Sequence, residues 1–416
     1  MPNLVGDPLF AGGFGLAVLV IILVKVLVAF GFLLVSVMLM IWFERRAIAL
    51  MQDRIGPNRA GPQGLLQTLA DGTKLFFKED LLPERAERFV FRLSPLLALV
   101  PAFLIFTVVP VGGVVTIAHH VIELQVADPP IGILVVLAFS SLAVYGTMLA
   151  GWSSGSKYPL LGSVRASAQM ISYEAAMGLT VVTVILESHG LSTRAIVGSQ
   201  ASAFWHWNVI RLGVVPFAIF LIASTAELNR PPFDLAEGES ELGGGFHTEY
   251  SSIRFALFYL AEYMNTITYS AVVVTLFFGG PDGPGFHVVR WLWPILWFLG
   301  KTVVFLFVQV WIRASLPRMR YDQLMDLGWK WLIPLSLAWM LIVAAAIEGV
   351  GWLLGVIAGC IVVGSVLWRA IVVSRQRRTA RGEGLPPGRP FRVAPPPAPG
   401  EGQDLRPLER PSTVGS

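Results

Sequence analysis

Residues 226–250, AELNRPPFDLAEGESELGGGFHTEY, carry six carboxylates (Glu227, Asp234, Glu237, Glu239, Glu241 and Glu249) and one Lys or Arg, Arg230. Crowded carboxylates repel, raise one another's pKa and titrate as a set. Such a cluster suits a device that stores or passes protons and fits a simple anchor poorly. Two further acids sit inside apolar stretches. Glu174 lies about six residues into one, roughly 9 Å from its end, and Glu262 about ten residues into another, roughly 15 Å down and near mid-membrane. An ionisable side chain at that depth costs about 2.5–3.5 kcal/mol on insertion scales and is a functional candidate by default. The bland alternative is a structural ion pair or a snorkelling side chain. For Glu227 and the loop acids taken singly, which cost little to solvate, the two readings weigh equally.

The elements that position these acids are membrane spans. The chain has 416 residues, 55% of them hydrophobic and only 14% charged, against about 25% charged in an average soluble domain. Its mean hydropathy is +0.67. The net charge of +4 sits in loops and a tail, where it sets topology; no nucleic-acid partner is implied. The single cysteine, Cys360, lies in an apolar run, which leaves no disulfide framework or thiolate metal site. The first apolar run, 14–43, far exceeds the ~7–15 residues of a signal-peptide core.

A bilayer asks about 17–25 apolar residues of a helix. The sequence predicts an all-α polytopic membrane protein whose spans fall near 14–43, 91–112, 131–152, 168–187, 209–227, 252–278, 292–313, 331–349 and 351–372. The last two form one apolar stretch that as a single helix would be about 57 Å long, too long for a ~30 Å core, and Gly349, Gly351 and Gly355 offer a place to turn. Basic residues crowd the loops after odd-numbered spans (Arg45, Arg46, Arg54, Arg59, Lys74 and Lys78 in the first; Arg313, Arg318 and Arg320 in the last), while the opposite loops hold Arg194, Arg211 and Arg290. The positive-inside rule then puts the crowded loops in the cytoplasm and the N-terminus outside. A basic, Pro- and Gly-rich tail, 373–416, follows as a cytoplasmic segment expected to be disordered.

The first loop holds a second kind of element. In GLLQTLADGTKLFFKED, Leu65, Leu69 and Phe76 fall on one helical face and Gln67, Asp71, Lys74 and Lys78 on the other. That pattern predicts a helix near 63–78 lying in the interface plane. Arg45, Arg46, Arg54 and Arg59 gather before it beside Glu44 and Asp53. They read either as a polar mouth that receives an acidic or quinone-like head group or docks a soluble partner, or as ordinary positive-inside anchors. Lys25 and Lys301, within spans, are natural counter-charges for the buried acids. His119 and His120 are adjacent, and chain neighbours seldom converge on one metal. The thirteen Trp fall mostly near span ends, as interfacial anchors do. No electron carrier is visible in the residues.

The segments ERRAIALMQDRIGPNRAGPQGLLQTLADGTKLFFKED (44–80), GWSSGSKYPLLGSVRASAQMISYE (151–174), AELNRPPFDLAEGESELGGGFHTEYSSIRFALFYLAEY (226–263) and RASLPRMRYDQLMDLGWK (313–330) resemble the signature segments of a family of membrane subunits. These are the H subunits of proton-translocating NADH–quinone oxidoreductase, respiratory complex I. The resemblance covers about residues 15–350 in order. It implies a subunit that seats the membrane arm against the peripheral arm and lines the quinone chamber. Such a subunit binds no cofactor of its own, because flavin and iron–sulfur clusters belong to partner subunits. Residue by residue it implies a proton-coupling path through Glu174, Glu227, Glu237, Glu239, Glu241 and Glu262. It marks Arg45, Arg46, Asp53, Arg54, Arg59, Asp71 and Arg230 as quinone-chamber or arm-junction elements. The third span departs from the pattern, with Ser141 and Tyr145 where some relatives carry an acid, and the segment after about 350 exceeds the usual eight spans. The expected location is a bacterial cytoplasmic membrane, with quinone, lipid and the other complex I subunits as partners. The rival readings are the homologous membrane subunit of a membrane-bound hydrogenase or other-donor dehydrogenase and, more distantly, a cation transporter, which would call for an internal inverted repeat.

Overall fold

A computed structural model describes residues 15–117, 120–201, 203–234, 243–284 and 291–380. Glu237, Glu239 and Glu241, together with His119, Arg290 and the tail beyond 380, lie outside the described residues. The chain divides into two units, Met1–Val356 and Ile357–Ser416. The first begins with α1 (Leu16–Met51), whose buried side chains Leu33, Val37, Met40, Ile41 and Glu44 recur at helical spacing on one face. Its other faces expose Leu19, Leu23, Leu27 and Val35, as a lipid-facing helix does. After it come the short α2 (Gln67–Phe77), with no buried residue, and α3 (Arg88–Thr107). A hairpin, β1 (Val114–Ile117) and β2 (His120–Glu123), pairs antiparallel with Val114 opposite Glu123 before α4 (Gly132–Ser153). Span-finding by hydropathy does not predict this small strand pair; its segments are short and rich in β-branched residues.

The helix expected at 168–187 runs instead as α5 from Lys157 to Ser188. Its first turns carry Ser163, Ser167, Gln169 and Ser172, all buried in protein. A hydropathy argument discards such residues, yet here the Gln169 amide donates to the carbonyls of Ala226 (2.6 Å) and Phe233 (2.8 Å). The range 209–227 is likewise not one helix. After α6 (Thr193–Gln200) and the single turn α7 (Asn208–Arg211), Gly213 breaks the chain at φ +82° and α8 (Val214–Glu227) begins. At 14 residues, α8 is about 21 Å long.

α9 (Ser252–Phe277) is the central element, packed on α1, α3 and α10 (Leu292–Ser315). It buries Thr266, Thr268, Ser270 and Thr275, whose hydroxyls donate to carbonyls one turn back, which satisfies polar groups inside protein. α11 (Tyr321–Leu327) passes through a π turn (Gly328–Leu332) into α12 (Ile333–Glu348). α12 ends at Gly349, and α13 (Val350–Ala380) follows. Of the second unit, residues 357–380 are described, and they continue α13 with Ile361, Val362, Val363 and Trp368 exposed. Among the described residues six helices (α1, α3, α4, α5, α10 and the Tyr321–Glu348 rod) are long and apolar enough to cross a membrane, with Val214–Glu227 and Val350–Val366 as shorter apolar ones. The fold is that of an all-α polytopic membrane protein.

Lys301 on α10 does not serve as a counter-charge to the buried acids. Its ammonium donates to three carbonyls just past α9, those of Phe278 (2.8 Å), Gly280 (3.1 Å) and Asp282 (2.7 Å), and sits 4.7 Å from the centre of the Trp207 ring.

Candidate functional site: a buried acid–arginine cluster and its cavity

The loop after α8 turns Arg230 back into the protein. Its side chain, 6% exposed, donates through Nη1 to Glu44 Oε2 (3.0 Å) and through Nε to Glu262 Oε1 (2.8 Å). Glu44, 4% exposed, also accepts from Arg313 of α10. Two carboxylates and two guanidiniums thus tie α1, the loop, α9 and α10 together. The Arg230 guanidinium lies 4.2 Å from the Tyr263 ring centre, and the Tyr263 and Tyr259 hydroxyls are 3.1 Å apart. Burial alone would lower the Arg230 pKa; the Glu44 and Glu262 carboxylates outweigh it and raise the guanidinium above its ordinary value.

A second pair of acids is held by hydroxyls. The Tyr269 hydroxyl donates to Glu227 Oε1 (2.9 Å). Ser140 (3.2 Å) and Ser141 donate to Glu174 Oε1, so Ser141 provides a hydroxyl partner for a neighbouring acid. Glu174 is close enough to act on Glu227 through its charge. Among the described residues neither acid has a basic partner.

A cavity of about 70 Å³ is lined by one acid of each group; its wall includes Glu227, Glu262, Asn229, Asn265, Tyr259 and His247. That is room for a few water molecules. Glu227 Oε2, Asn229 Oδ1 and Asn265 Oδ1 are buried without a hydrogen-bond partner. Burial pushes His247 down to about 4, so its ring is neutral near pH 7. Among the described residues no three His, Cys, Asp or Glu converge as a metal site.

Outside this core, Arg45 joins α1 to α2 through Asp71 (2.7 Å), which also accepts from Gln67 (3.1 Å). Arg46 reaches the Gln63 amide oxygen (3.2 Å) and lies over the Trp42 ring. Asp53, Arg54 and Arg59 are exposed, Arg54 donating to Gln52 (2.7 Å), and the fold does not bring them to the buried cluster. Beside α1 are two apolar cavities that share Trp42 and Phe43. One, of about 410 Å³, lies against Met40, Phe106, Phe298 and Leu306; the other, of about 510 Å³, lies against Arg46, Leu50 and Phe307.

Glu174, Glu227, Glu262 and Arg230 are therefore gathered as the sequence suggests, but their partners are not evident from it. In sequence Glu44 reads as a neighbour of loop arginines, Arg313 as a topology marker, and Tyr263, Tyr269 and Asn265 as span filler. The signal that could have found them is polar residues recurring toward the middle of an apolar helix, as along 259–270.

A sequence profile of the NADH dehydrogenase family matches residues 24–344. The H subunit of the NADH-quinone oxidoreductase of Frankia alni is 52% identical over 337 residues, covering 80% of this chain and 74% of that protein. Its counterpart from Frankia casuarinae is 51% identical over 329 residues, covering 78% and 72%. The match spans every helix that contributes to the two acid groups, and the chain belongs to the NADH dehydrogenase family.

Proposed function

We propose that this chain is the membrane subunit of an NADH–quinone oxidoreductase that lines the quinone chamber at the junction with the peripheral arm. On this reading it couples quinone reduction to proton translocation through its carboxylates. The observation that carries the proposal is the pair of acid groups, one neutralised by arginine and one held by hydroxyls, with Glu262 of the first and Glu227 of the second lining one small cavity inside apolar helices. Buried ionisable groups of this kind are costly and mark ion pathways in membrane proteins. The apolar cavities along α1 suit an isoprenoid tail, with Arg46 at one end for a polar head group. Exposed Leu65, Leu66, Leu69 and Phe76 around α2 give the same end an apolar platform.

Reduction of a quinone takes up protons and changes the local charge. Coupled carboxylates redistribute protons as a set, and each pKa unit of change is worth about 1.36 kcal/mol, enough in combination to bias a hydration or conformational switch. Glu237, Glu239 and Glu241 of the loop belong to the same set of coupling carboxylates. Asp53, Arg54 and Arg59 serve the surface that meets the peripheral arm. The chain itself holds no redox centre and has no activity alone; flavin and iron–sulfur clusters belong to the partners. The basic loops and tail face the cytoplasm of a bacterial cell, and the N-terminus faces outward.

Purification through a tag on the tail, with identification of partners and assay with NADH and quinone, tests this reading. Flavin and iron–sulfur subunits with NADH–quinone activity are expected. Hydrogenase-like partners, or none, would overturn it. Within such a complex Glu174→Gln and Glu262→Gln should lower quinone-coupled turnover; normal coupled turnover in assembled variants would sink the carboxylate path.

A further inference from the structure

The turn Gly245–His247 lies in the last part of the acidic segment, just before α9. It sits tightly on α5: a Cβ on Gly162 would come within 2.9 Å of Gly245 Cα, and Gly245 itself has φ +64°. Both positions therefore need glycine, and together they fix where His247 points. The ring is held edge-on by Phe246 and Phe255, with centroids 5.0 and 5.4 Å away. His247 is half-buried, the next residue, Thr248, is exposed, and the ring forms part of the cavity wall shared by Glu227 and Glu262.

Each element around that cavity contributes a distinct group. α8 presents Glu227, α9 presents Tyr259, Glu262 and Asn265, the loop presents Asn229, and α4 presents Thr147. The acids facing the space are thus Glu227 and Glu262, and the other titratable side chains there are Tyr259 and His247. Three of the polar atoms on this wall, Glu227 Oε2, Asn229 Oδ1 and Asn265 Oδ1, have no protein partner. Buried polar atoms left open on a cavity of this size call for water. Of the side chains on the wall, only the neutral imidazole offers a donor nitrogen and an acceptor nitrogen on opposite sides of one ring at near-neutral pH.

We propose that His247 is a proton-carrying residue that passes protons between the surface side of the turn and the water-bearing cavity between Glu227 and Glu262. A hydronium ion on the surface side gives a proton to one ring nitrogen, so an O–H bond breaks and an N–H bond forms; the other ring N–H breaks as its proton forms an O–H bond on cavity water. Each of two protons shifts by one bond, the net result is one proton carried from surface water to cavity water, and the ring returns to its starting tautomer by exchange or rotation. No oxidant or reductant takes part. The proposal rests on the carboxylate reading given above.

The test uses the whole complex in proteoliposomes. His247→Asn keeps a polar side chain that cannot relay a proton, and Glu227→Gln serves as the reference variant. In His247→Asn, NADH oxidation by a soluble artificial acceptor should stay at the wild-type rate. Quinone-coupled turnover should fall by at least about tenfold, with an altered pH profile and a larger solvent deuterium isotope effect. Added imidazole should restore part of the turnover of His247→Ala, and N-methylated imidazolium, which cannot exchange a proton, should not. Wild-type turnover and pH profile in His247→Asn beside an impaired Glu227→Gln would overturn the role of His247 alone. Normal turnover in both would overturn the carboxylate reading beneath it. Loss of assembled complex in both His247 variants would make the residue a structural one and also overturn the proposal.

Discussion

The two acid groups differ in what satisfies them. Glu44 and Glu262 meet Arg230 and Arg313, and the formal charges of those four side chains cancel. Glu174 and Glu227 meet serine and tyrosine hydroxyls, and one oxygen of Glu227 meets nothing. A neutralised cluster resists change, because removing one member strands a charge in a dry place. A hydroxyl-held carboxyl can gain or lose a proton while its neighbours stay put, since a hydroxyl serves as donor or acceptor by rotating. Acids of the same type thus meet different partners: the first group ties α1, the loop, α9 and α10 together through guanidiniums, and the second rests on hydroxyls.

Arg230→Met puts that contrast under most strain. It leaves Glu262 without its guanidinium and Glu44 with only Arg313, a loss of about 3–5 kcal/mol, so little assembled complex should accumulate on a native gel. Glu227→Gln should do the opposite. The amide oxygen still accepts from Tyr269, so the complex assembles at wild-type levels while quinone-coupled turnover falls by at least about tenfold; if Glu227→Gln fails to assemble and Arg230→Met assembles normally, the division between the groups is wrong. A smaller effect comes from pH. His247 binds its proton near 6.5 when unfolded and near 4 when folded, so the unfolded state takes up more protons between those values. Its contribution to stability is complete above 6.5 and is lost as pH falls toward 4. Thermal unfolding of His247→Asn across that window should therefore show a shallower acid slope than wild type. Least of all, Arg45→Ala removes a partly exposed pair with Asp71 worth about 0.2–1 kcal/mol, a shift near the limit of a melting measurement.

Much of this is legible from residue types. Carboxylates deep in apolar runs are rare enough to stand out, and Glu174, Glu227 and Glu262 do converge. What the sequence hides are the partners, because a partner is chosen by packing. Glu44 and Arg230 are 186 residues apart, and nothing in their local spacing announces the pair. The start of α5 is hidden for a related reason. Hydropathy treats Ser163 and Gln169 as signs of solvent, whereas the fold buries them among carbonyls that need donors. Charge alone makes Lys301 a counter-ion for the acids, and it finds carbonyl dipoles instead. The break at Gly213 has a visible glycine, but whether a glycine bends a helix or merely rides in it depends on the Trp339 ring that lies against it.

Lys301 has a consequence for the loop after α9. With its three N–H groups each donated to a different carbonyl, the ammonium acts as a tethered monovalent cation, and that loop is its coordination shell. Because the charge is carried covalently on α10, the three carbonyls are satisfied without an ion drawn from solution.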